Sequence, residues 1–141
     1  MSVLARNNVN VFGAGSRPIL FSHGYGCDQN MWRLIAPEFF ADYKVVVYDL
    51  VGSGHSELGA YDRAKYATLE GHATDMLEIS EALDLILVGH SVSAMTAALA
   101  ALRAPDRFSA IVMVGPSPCY IDQADYTGGF KREDIVGHHG C

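Results

Sequence analysis

The sequence predicts an α/β fold, an open and mostly parallel sheet of about five or six strands with helices on both faces. Short runs of β-branched residues alternate with longer segments of helical period, the order typical of strand-helix-strand units. The 141 residues are 50% hydrophobic and 18% charged, a composition typical of a globular domain that buries a core. We therefore expect residues 1–141 to form a single domain.

Four apolar runs are interpreted as strands covered on both faces, since such strands carry apolar residues at consecutive positions. These runs are residues 18–22, 44–49, 85–89 and 109–115. A weaker alternation over residues 3–12 indicates an edge strand or hairpin arm. Helical periodicity predicts three helices that pack on the sheet, at residues 30–41, 69–83 and 92–103.

Composition and charge exclude several function classes. Lys and Arg number 10 against 16 Asp and Glu, and a net charge of -6 argues against binding to nucleic acid. Because no run approaches the roughly 18 apolar residues of a membrane span, we expect a cytoplasmic protein without a membrane partner. Cys27, Cys119 and Cys141 have neither disulfide-framework nor zinc-knuckle spacing. The stretch 52–55 lacks the spacing of a phosphate-binding loop, so no cofactor is expected.

The strongest chemical signal is Gly89-His90-Ser91-Val92-Ser93, between a predicted strand and a predicted helix. This context is typical of a nucleophile elbow, in which a serine lies on a sharp turn flanked by small residues. Ser93 stands where glycine is usual, but the strand before and the helix after favour the elbow over an ordinary loop serine. Ser91 is therefore the candidate nucleophile, at a helix N-terminus whose free amides stabilise negative charge.

A second signal, His23-Gly24-Tyr25-Gly26, directly follows the strand at 18–22. A tetrahedral oxyanion needs two backbone donors, one from such a loop and one from the residue after the serine. We therefore predict an oxyanion hole formed by the amides of Tyr25 and Val92. His23 is interpreted as a hydrogen-bonding residue of its loop, and the substrate pocket is expected to include three residues, namely His23, Gly24 and His90.

These motifs resemble those of the α/β-hydrolases. The chain is most similar to the group that contains the RsbQ-type bacterial stress regulatory hydrolase and the plant karrikin and strigolactone receptors. The resemblance covers about residues 4–136 and rests on HGYGCDQNMW at 23–32, YDLVGSGHS at 48–56, GHSVSAM at 89–95, and VGPSPCYI with YTGGF within 114–130. It implies a nucleophilic Ser91, an oxyanion hole at Tyr25 and Val92, and small esters, lactones or butenolides as substrates.

The family's later elements do not follow in this sequence. Family members are about twice as long and continue into a helical lid, two strands that bear the catalytic Asp and His, and a last helix. The tail at 137–141 does not resemble the family at that position. We therefore expect the N-terminal half of an α/β-hydrolase, a truncated and lidless fold. Its strand at 109–115 is expected to be an exposed apolar edge that forms a homodimer or higher oligomer.

The absence of the family's base leaves alternatives for how Ser91 loses its proton. His138 or His139, from the same chain or from a partner subunit, is a candidate base. The candidate orienting acids are Asp122, Asp125 and Asp134. Alternatively, zinc or another soft divalent ion binds the tail through His138, His139 and Cys141. A disordered tail without a function is the third alternative.

Three functions remain open from the sequence. The first is a lidless serine hydrolase that acts on small activated esters or lactones through an acyl-enzyme on Ser91, forms a dimer and has an open, promiscuous site. The second is a non-catalytic relic or small-ligand binding module. The third is metal-assisted hydrolysis, in which an ion held by the tail activates water.

Overall fold

The computed structural model describes residues 1–81 and 85–136. Its five strands are β1 (Asn10–Phe12), β2 (Arg17–Ser22), β3 (Tyr43–Tyr48), β4 (Leu85–His90) and β5 (Phe108–Val114). They form one sheet in the order β1-β3-β2-β4-β5, with β1 antiparallel to β3 and the other neighbours parallel. The predicted open, mostly parallel sheet is confirmed.

The register of the parallel strands assembles one edge of the sheet from three carboxyl ends. Ser22 at the end of β2 pairs with Gly89 in β4, and His90 at the end of β4 pairs with Val114 at the end of β5. The segments that follow β2, β4 and β5 therefore leave the sheet side by side. Both motifs singled out in the sequence lie at this edge.

The two faces of the sheet are covered by different elements. The helices are α1 (Val3–Arg6), α2 (Leu69–Ile79), α3 (Val92–Arg103) and α4 (Arg132–Val136). Met76 of α2 and Ala97 of α3 lie in a buried cluster with Leu20 of β2. On the other face, two 3-10 helices, Gln29–Trp32 and Ala36–Phe39, contribute to a second cluster. Within the described ranges, no helix has the length and apolar character to cross a membrane.

The 3-10 helices replace the α-helix predicted at 30–41. Pro37 lies in the second of them and has no backbone N–H, so an α-helix through this position would lose a hydrogen bond. The segment still buries Trp32, whose ring centroid lies 5.1 Å from that of Phe21 in β2. The apolar spacing thus placed Trp32 correctly in the core but predicted the wrong helix type, and Ile35, three residues further on, is 48% exposed.

Two other boundaries differ from the prediction. The first half of the predicted edge strand at 3–12 is α1, which begins after Ser2, whose hydroxyl accepts a hydrogen bond from the Ala5 amide. Helix α2 ends at Ile79, because Ser80 follows with a non-helical backbone and its hydroxyl donates to the Met76 carbonyl at 2.6 Å. The remainder of the helix predicted at 69–83 includes residues outside the described part of the chain.

Strand β5 has a strand neighbour on one side only, in the part of the chain that the structure describes. Its side chains are correspondingly open to solvent, with exposed fractions of 46% for Val112, 39% for Met113 and 42% for Val114. The apolar edge expected at 109–115 is therefore present within these residues.

Candidate active site

Ser91 occupies a strained turn between β4 and α3. Its backbone has φ 55° and ψ -119°, a positive φ that costs a residue with a side chain of the order of 1–3 kcal/mol. Two hydrogen bonds hold the turn, from the Ser91 amide to the Val114 carbonyl at 2.8 Å and from the Ala94 amide to the Ser91 carbonyl at 3.0 Å. This is the geometry of a nucleophile elbow, which presents the hydroxyl beyond the strand end.

The elbow leaves no room for a side chain at Gly89. A Cβ there would lie 2.5 Å from the Ser93 carbonyl oxygen. Any side chain at position 89 would therefore clash with the backbone of the first turn of α3. Ser93 itself is fully buried. The small residues on either side of Ser91 are therefore required by packing.

A buried chain of hydroxyls joins the elbow to the loop after β2. Ser22 donates to Ser93 at 2.8 Å, and Ser93 donates to the carbonyl oxygen of His23. Since the Ser22 hydrogen is used in this way, the Tyr48 hydroxyl, 2.7 Å away, is the donor to Ser22. Burial raises the pKa of Tyr48 and keeps it a donor. Sequence reasoning missed this network, because Ser93 was considered only as a small residue in place of glycine.

The buried His23 side chain stabilises the same loop through a hydrogen bond at each ring nitrogen. Its Nε2 accepts a hydrogen bond from the Leu50 amide at 3.0 Å, so the ring hydrogen lies on Nδ1 and is donated to the Gly24 carbonyl at 2.8 Å. The side chain has no exposed surface. This corrects the expectation that His23 lines the substrate pocket, because both ring nitrogens are bonded within the protein.

The loop after β2 lies directly against the elbow. A Cβ at Gly24 would be 3.4 Å from the Ser91 Cβ and 2.5 Å from His90 Nδ1. The amides of Tyr25 and Val92 donate to no acceptor among the described residues. Two unoccupied amides beside the serine are what a developing oxyanion requires.

His90 and Tyr25 differ in their access to a ligand. The Nδ1 of His90 is buried and has no partner within the described chain, and its position against Gly24 indicates packing. The Tyr25 side chain is 86% exposed. The mouth of the site is therefore open on the side of Tyr25.

The Ser91 hydroxyl has a hydrogen-bond partner that the sequence analysis did not single out. The oxygen of Ser91 lies 3.1 Å from the hydroxyl oxygen of Tyr120, in the segment after β5. The two residues are 29 positions apart, and the only sequence signal was the stretch VGPSPCYI that supported the resemblance.

The candidate acids have other contacts. Asp122 accepts hydrogen bonds from the amides of Gly128 and Gly129 at 2.8 and 2.9 Å, so one of its oxygens is bonded within its own loop. Asp134 accepts from the Lys131 amide at 3.1 Å. Asp125 is exposed on the same loop as Asp122.

The candidate bases and the alternative metal ligands, His138, His139 and Cys141, lie outside the described residues. The structure therefore places Gly24, the neighbour of Tyr25, against Ser91. The oxyanion hole at Tyr25 and Val92 and the pairing of a histidine with an acid stay predictions. Over residues 1–81 and 85–136, no group of three His, Cys, Asp or Glu side chains is placed to hold a metal ion.

Asp49, the residue after β3, connects three segments of the chain through its carboxylate. Its carboxylate accepts hydrogen bonds from the Asn8 side chain at 2.8 Å and from the amides of Gln29 and His55 at 2.8 and 3.0 Å. Burial by itself would raise the pKa of Asp49, but these hydrogen bonds outweigh it and lower the pKa. A Cβ at Gly54 would lie 2.5 Å from the carboxyl carbon, which explains the glycine there.

Comparison with known proteins assigns the family. The model of the family described as alpha/beta hydrolase fold matches residues 17–135, and the chain belongs to this family. A probable esterase of Oryza sativa subsp. japonica is 43% identical over 133 residues, which cover 92% of this chain and 49% of the relative. A strigolactone esterase of Arabidopsis thaliana is 40% identical over 137 residues, which cover 95% of this chain and 51% of the relative.

A solved structure agrees in both fold and sequence. A hydrolase from Oleispira antarctica superposes with a TM-score of 0.89 at 43% identity. The match covers 96% of this chain and 51% of the chain of that hydrolase. The predicted resemblance to the plant receptor and esterase group is confirmed. The chain spans about half the length of the curated relatives that it matches.

Proposed function

We propose that this protein is a serine hydrolase that cleaves small esters through an acyl-enzyme on Ser91. The observation that carries the proposal is the strained Ser91 turn, with the unoccupied amides of Tyr25 and Val92 beside it. The esterase relatives support the same reaction class.

The site's geometry fits acyl transfer. The Ser91 oxygen attacks the ester carbonyl carbon, and the carbonyl oxygen takes negative charge that the Tyr25 and Val92 amides stabilise. Collapse breaks the bond to the leaving oxygen, which departs with a proton as the alcohol. Water then hydrolyses the acyl group and restores the Ser91 hydroxyl. An oxyanion donor of this kind contributes about 2.7–4 kcal/mol to transition-state stabilisation.

The open site favours small substrates with little selectivity. Tyr25 is almost fully exposed at its mouth, so only a small part of a ligand's surface is enclosed by the described residues. Weak binding and broad tolerance among activated esters and lactones follow from this. The name of the Arabidopsis thaliana relative, a strigolactone esterase, supports lactones as one substrate class.

A homodimer through residues 109–115 is part of the proposal. The exposed apolar side chains of β5, Val112 and Met113 among them, support it, since unpaired strand edges associate with other chains. A second copy that pairs along β5 would cover them and continue the sheet. A cytoplasmic location stays a prediction.

A binding module is the second candidate function. A karrikin insensitive 2 receptor of Petunia hybrida is 42% identical over 130 residues, and the name of this relative describes a receptor. In this case the loops around Ser91 bind a small ligand without useful turnover. The metal-assisted alternative depends on His138, His139 and Cys141, which the structure does not describe.

Hydrolysis of p-nitrophenyl acetate by the 141-residue chain and by Ser91→Ala tests the proposal. We expect turnover by the unmodified chain and background rates for Ser91→Ala, with Ser16→Ala, an exposed serine in a loop, as the matched control. Equal rates for the unmodified chain and Ser91→Ala would show that Ser91 is not the nucleophile, and inhibition by a chelator would then indicate the metal. Two inactive but folded proteins would favour the binding module.

A further inference from the structure

Ester cleavage by Ser91 moves one proton off the serine oxygen and delivers one to the leaving oxygen. A serine hydroxyl without a proton acceptor is a poor nucleophile. Among the described residues, the side chain that hydrogen-bonds the Ser91 oxygen is Tyr120, at 3.1 Å. A phenol hydroxyl can accept a hydrogen bond and donate one at the same time.

The segment after β5 holds Tyr120 by its backbone. The Tyr120 carbonyl accepts a hydrogen bond from the Phe130 amide at 3.0 Å, and the Asp122 amide donates to the Phe130 carbonyl at 2.8 Å. The Asp122 carboxylate closes the loop through its bonds to Gly128 and Gly129. Hydrogen bonds on both sides of the loop therefore fix the residue that carries the phenol.

Close packing reinforces this placement. A Cβ at Gly128 would lie 2.6 Å from the Tyr120 carbonyl carbon, so the two arms of the loop touch through their backbones. At its other end the loop continues from Val114, whose carbonyl accepts the Ser91 amide. The Ser91 backbone thus bonds to the residue from which the segment that carries Tyr120 begins, and the two hydroxyls supply the direct contact.

We propose that Tyr120 relays the proton from Ser91 to the leaving group, an inference that rests on the proposed function. As the bond between the Ser91 oxygen and the acyl carbon forms, the serine proton passes to the phenol oxygen. The phenol's own proton passes to the leaving oxygen as its bond to the acyl carbon breaks. Tyr120 ends neutral, and deacylation runs the same path in reverse, with water in place of the alcohol.

A relay of this kind makes the role of Tyr120 depend on the leaving group. p-Nitrophenolate is stable without a proton, whereas ethoxide is strongly basic and has to be protonated as it departs. General acid-base catalysis of such a step contributes about 10²–10⁴-fold to the rate. The loss of the phenol hydroxyl should therefore reduce the rate of hydrolysis most for an alkyl ester.

The test compares kcat/KM for p-nitrophenyl acetate and ethyl acetate, which share the acyl group, in the full chain and in Tyr120→Phe. We expect the substitution to reduce kcat/KM about 100-fold or more for ethyl acetate and less than about 10-fold for p-nitrophenyl acetate. Tyr126→Phe is the matched control, because Tyr126 lies in the same loop and bonds to Gln123 through backbone atoms. It should leave both rates unchanged, and circular dichroism verifies that each variant is folded.

Each other outcome overturns the relay. Equal losses on both esters would mean that Tyr120 only orients Ser91 or its loop, and no loss on either would mean that it has no role. Loss of activity in His138→Gln/His139→Gln with full activity in Tyr120→Phe would show that a histidine of the tail, not Tyr120, accepts the serine proton. The proposed function would then still stand. No turnover by the unmodified chain above Ser91→Ala would refute the proposed function and the relay with it.

Discussion

The Ser93 hydroxyl donates a hydrogen bond to the carbonyl oxygen of His23, across 70 positions of sequence. This bond joins the first turn of α3 to the loop after β2 and so couples the candidate nucleophile to one of its two candidate oxyanion donors. A glycine at position 93 would preserve the packing at the elbow but not this connection.

Replacement of Ser93 tests that coupling. Ser93→Ala leaves the buried His23 carbonyl without this donor and the hydrogen of the Ser22 hydroxyl without its acceptor, although Ser22 still accepts from Tyr48. An unsatisfied buried group costs about 1–3 kcal/mol. We expect the free energy of unfolding in urea to fall by about this amount and the esterase rate to fall with it. Ser16→Ala should change neither quantity. An unfolding midpoint for Ser93→Ala equal to that of the unmodified chain would contradict the network.

A methyl group at position 24 should disturb the candidate oxyanion loop directly. In Gly24→Ala the new carbon meets His90 Nδ1 at 2.5 Å, so the loop or the histidine has to move. We expect kcat to fall about 10²–10³-fold, as for the loss of one oxyanion donor. Gly59→Ala is the control, since its neighbour there is the end of the flexible Glu57 side chain.

A double variant separates the clash from a general loss of stability. His90→Ala removes the atom that Gly24→Ala meets, so the combination should recover part of the activity lost in Gly24→Ala alone. Additive losses would show that the close approach of Gly24 and His90 does not determine the position of the loop.

The stability of the fold should fall as the pH drops below 6.5 because of His72. Burial lowers the pKa of His72 below its usual 6.5; Asp75 opposes this shift, while His23 and Lys65 add to it. The unfolded chain then takes up a proton at a higher pH than the folded one, so the contribution is fully present above 6.5 and is lost below it. Urea unfolding between pH 7.5 and 5 measures the loss, and the pH dependence should be weaker in His72→Gln. An identical pH dependence in both proteins would contradict this origin.

The proposed dimer depends on the exposed side of β5. A lysine in place of Val112, which is 46% exposed, brings charge to that edge and should convert dimers into monomers. Light scattering after size-exclusion chromatography gives the mass of each species. Leu102→Lys, at a leucine that is 81% exposed on α3, should remain dimeric. A monomeric unmodified chain would refute the interface.

Local sequence patterns were sufficient for the sheet and the elbow. The apolar runs placed β2 to β5 to within a residue or two, because consecutive apolar residues are typical of strands in a parallel sheet. Within the described residues β2 to β4 are mostly buried as expected, whereas β5, expected to be covered on both faces, is exposed or half-buried throughout. The Ser91 turn was predictable because the strand, the small residues and the helix lie next to one another in sequence. The two 3-10 helices at 29–39 were not predicted, because apolar spacing does not distinguish the hydrogen-bond pattern of a 3-10 helix from that of an α-helix. Pro37 was the sequence signal against a continuous α-helix.

The contacts that complete the site are long-range and were not predictable. Neither the Ser93 bond to His23 nor the Tyr120 bond to Ser91 leaves a local pattern, because each depends on how segments far apart in sequence meet at the sheet edge. Asp122 was selected as an acid from its position after the last strand, yet its carboxylate bonds to two amides of its own loop.

The hydroxyl chain from Tyr48 through Ser22 and Ser93 to His23 has a kinetic consequence. Its members belong to β3, β2, α3 and the loop after β2, and all four are fully buried. None of these elements can unfold locally without breaking a hydrogen bond between the hydroxyls, so local unfolding should not extend to the Ser91 turn. Amide hydrogens of β2 and β3 should therefore exchange with solvent only through global unfolding, and the strained Ser91 backbone should relax only when the whole molecule unfolds.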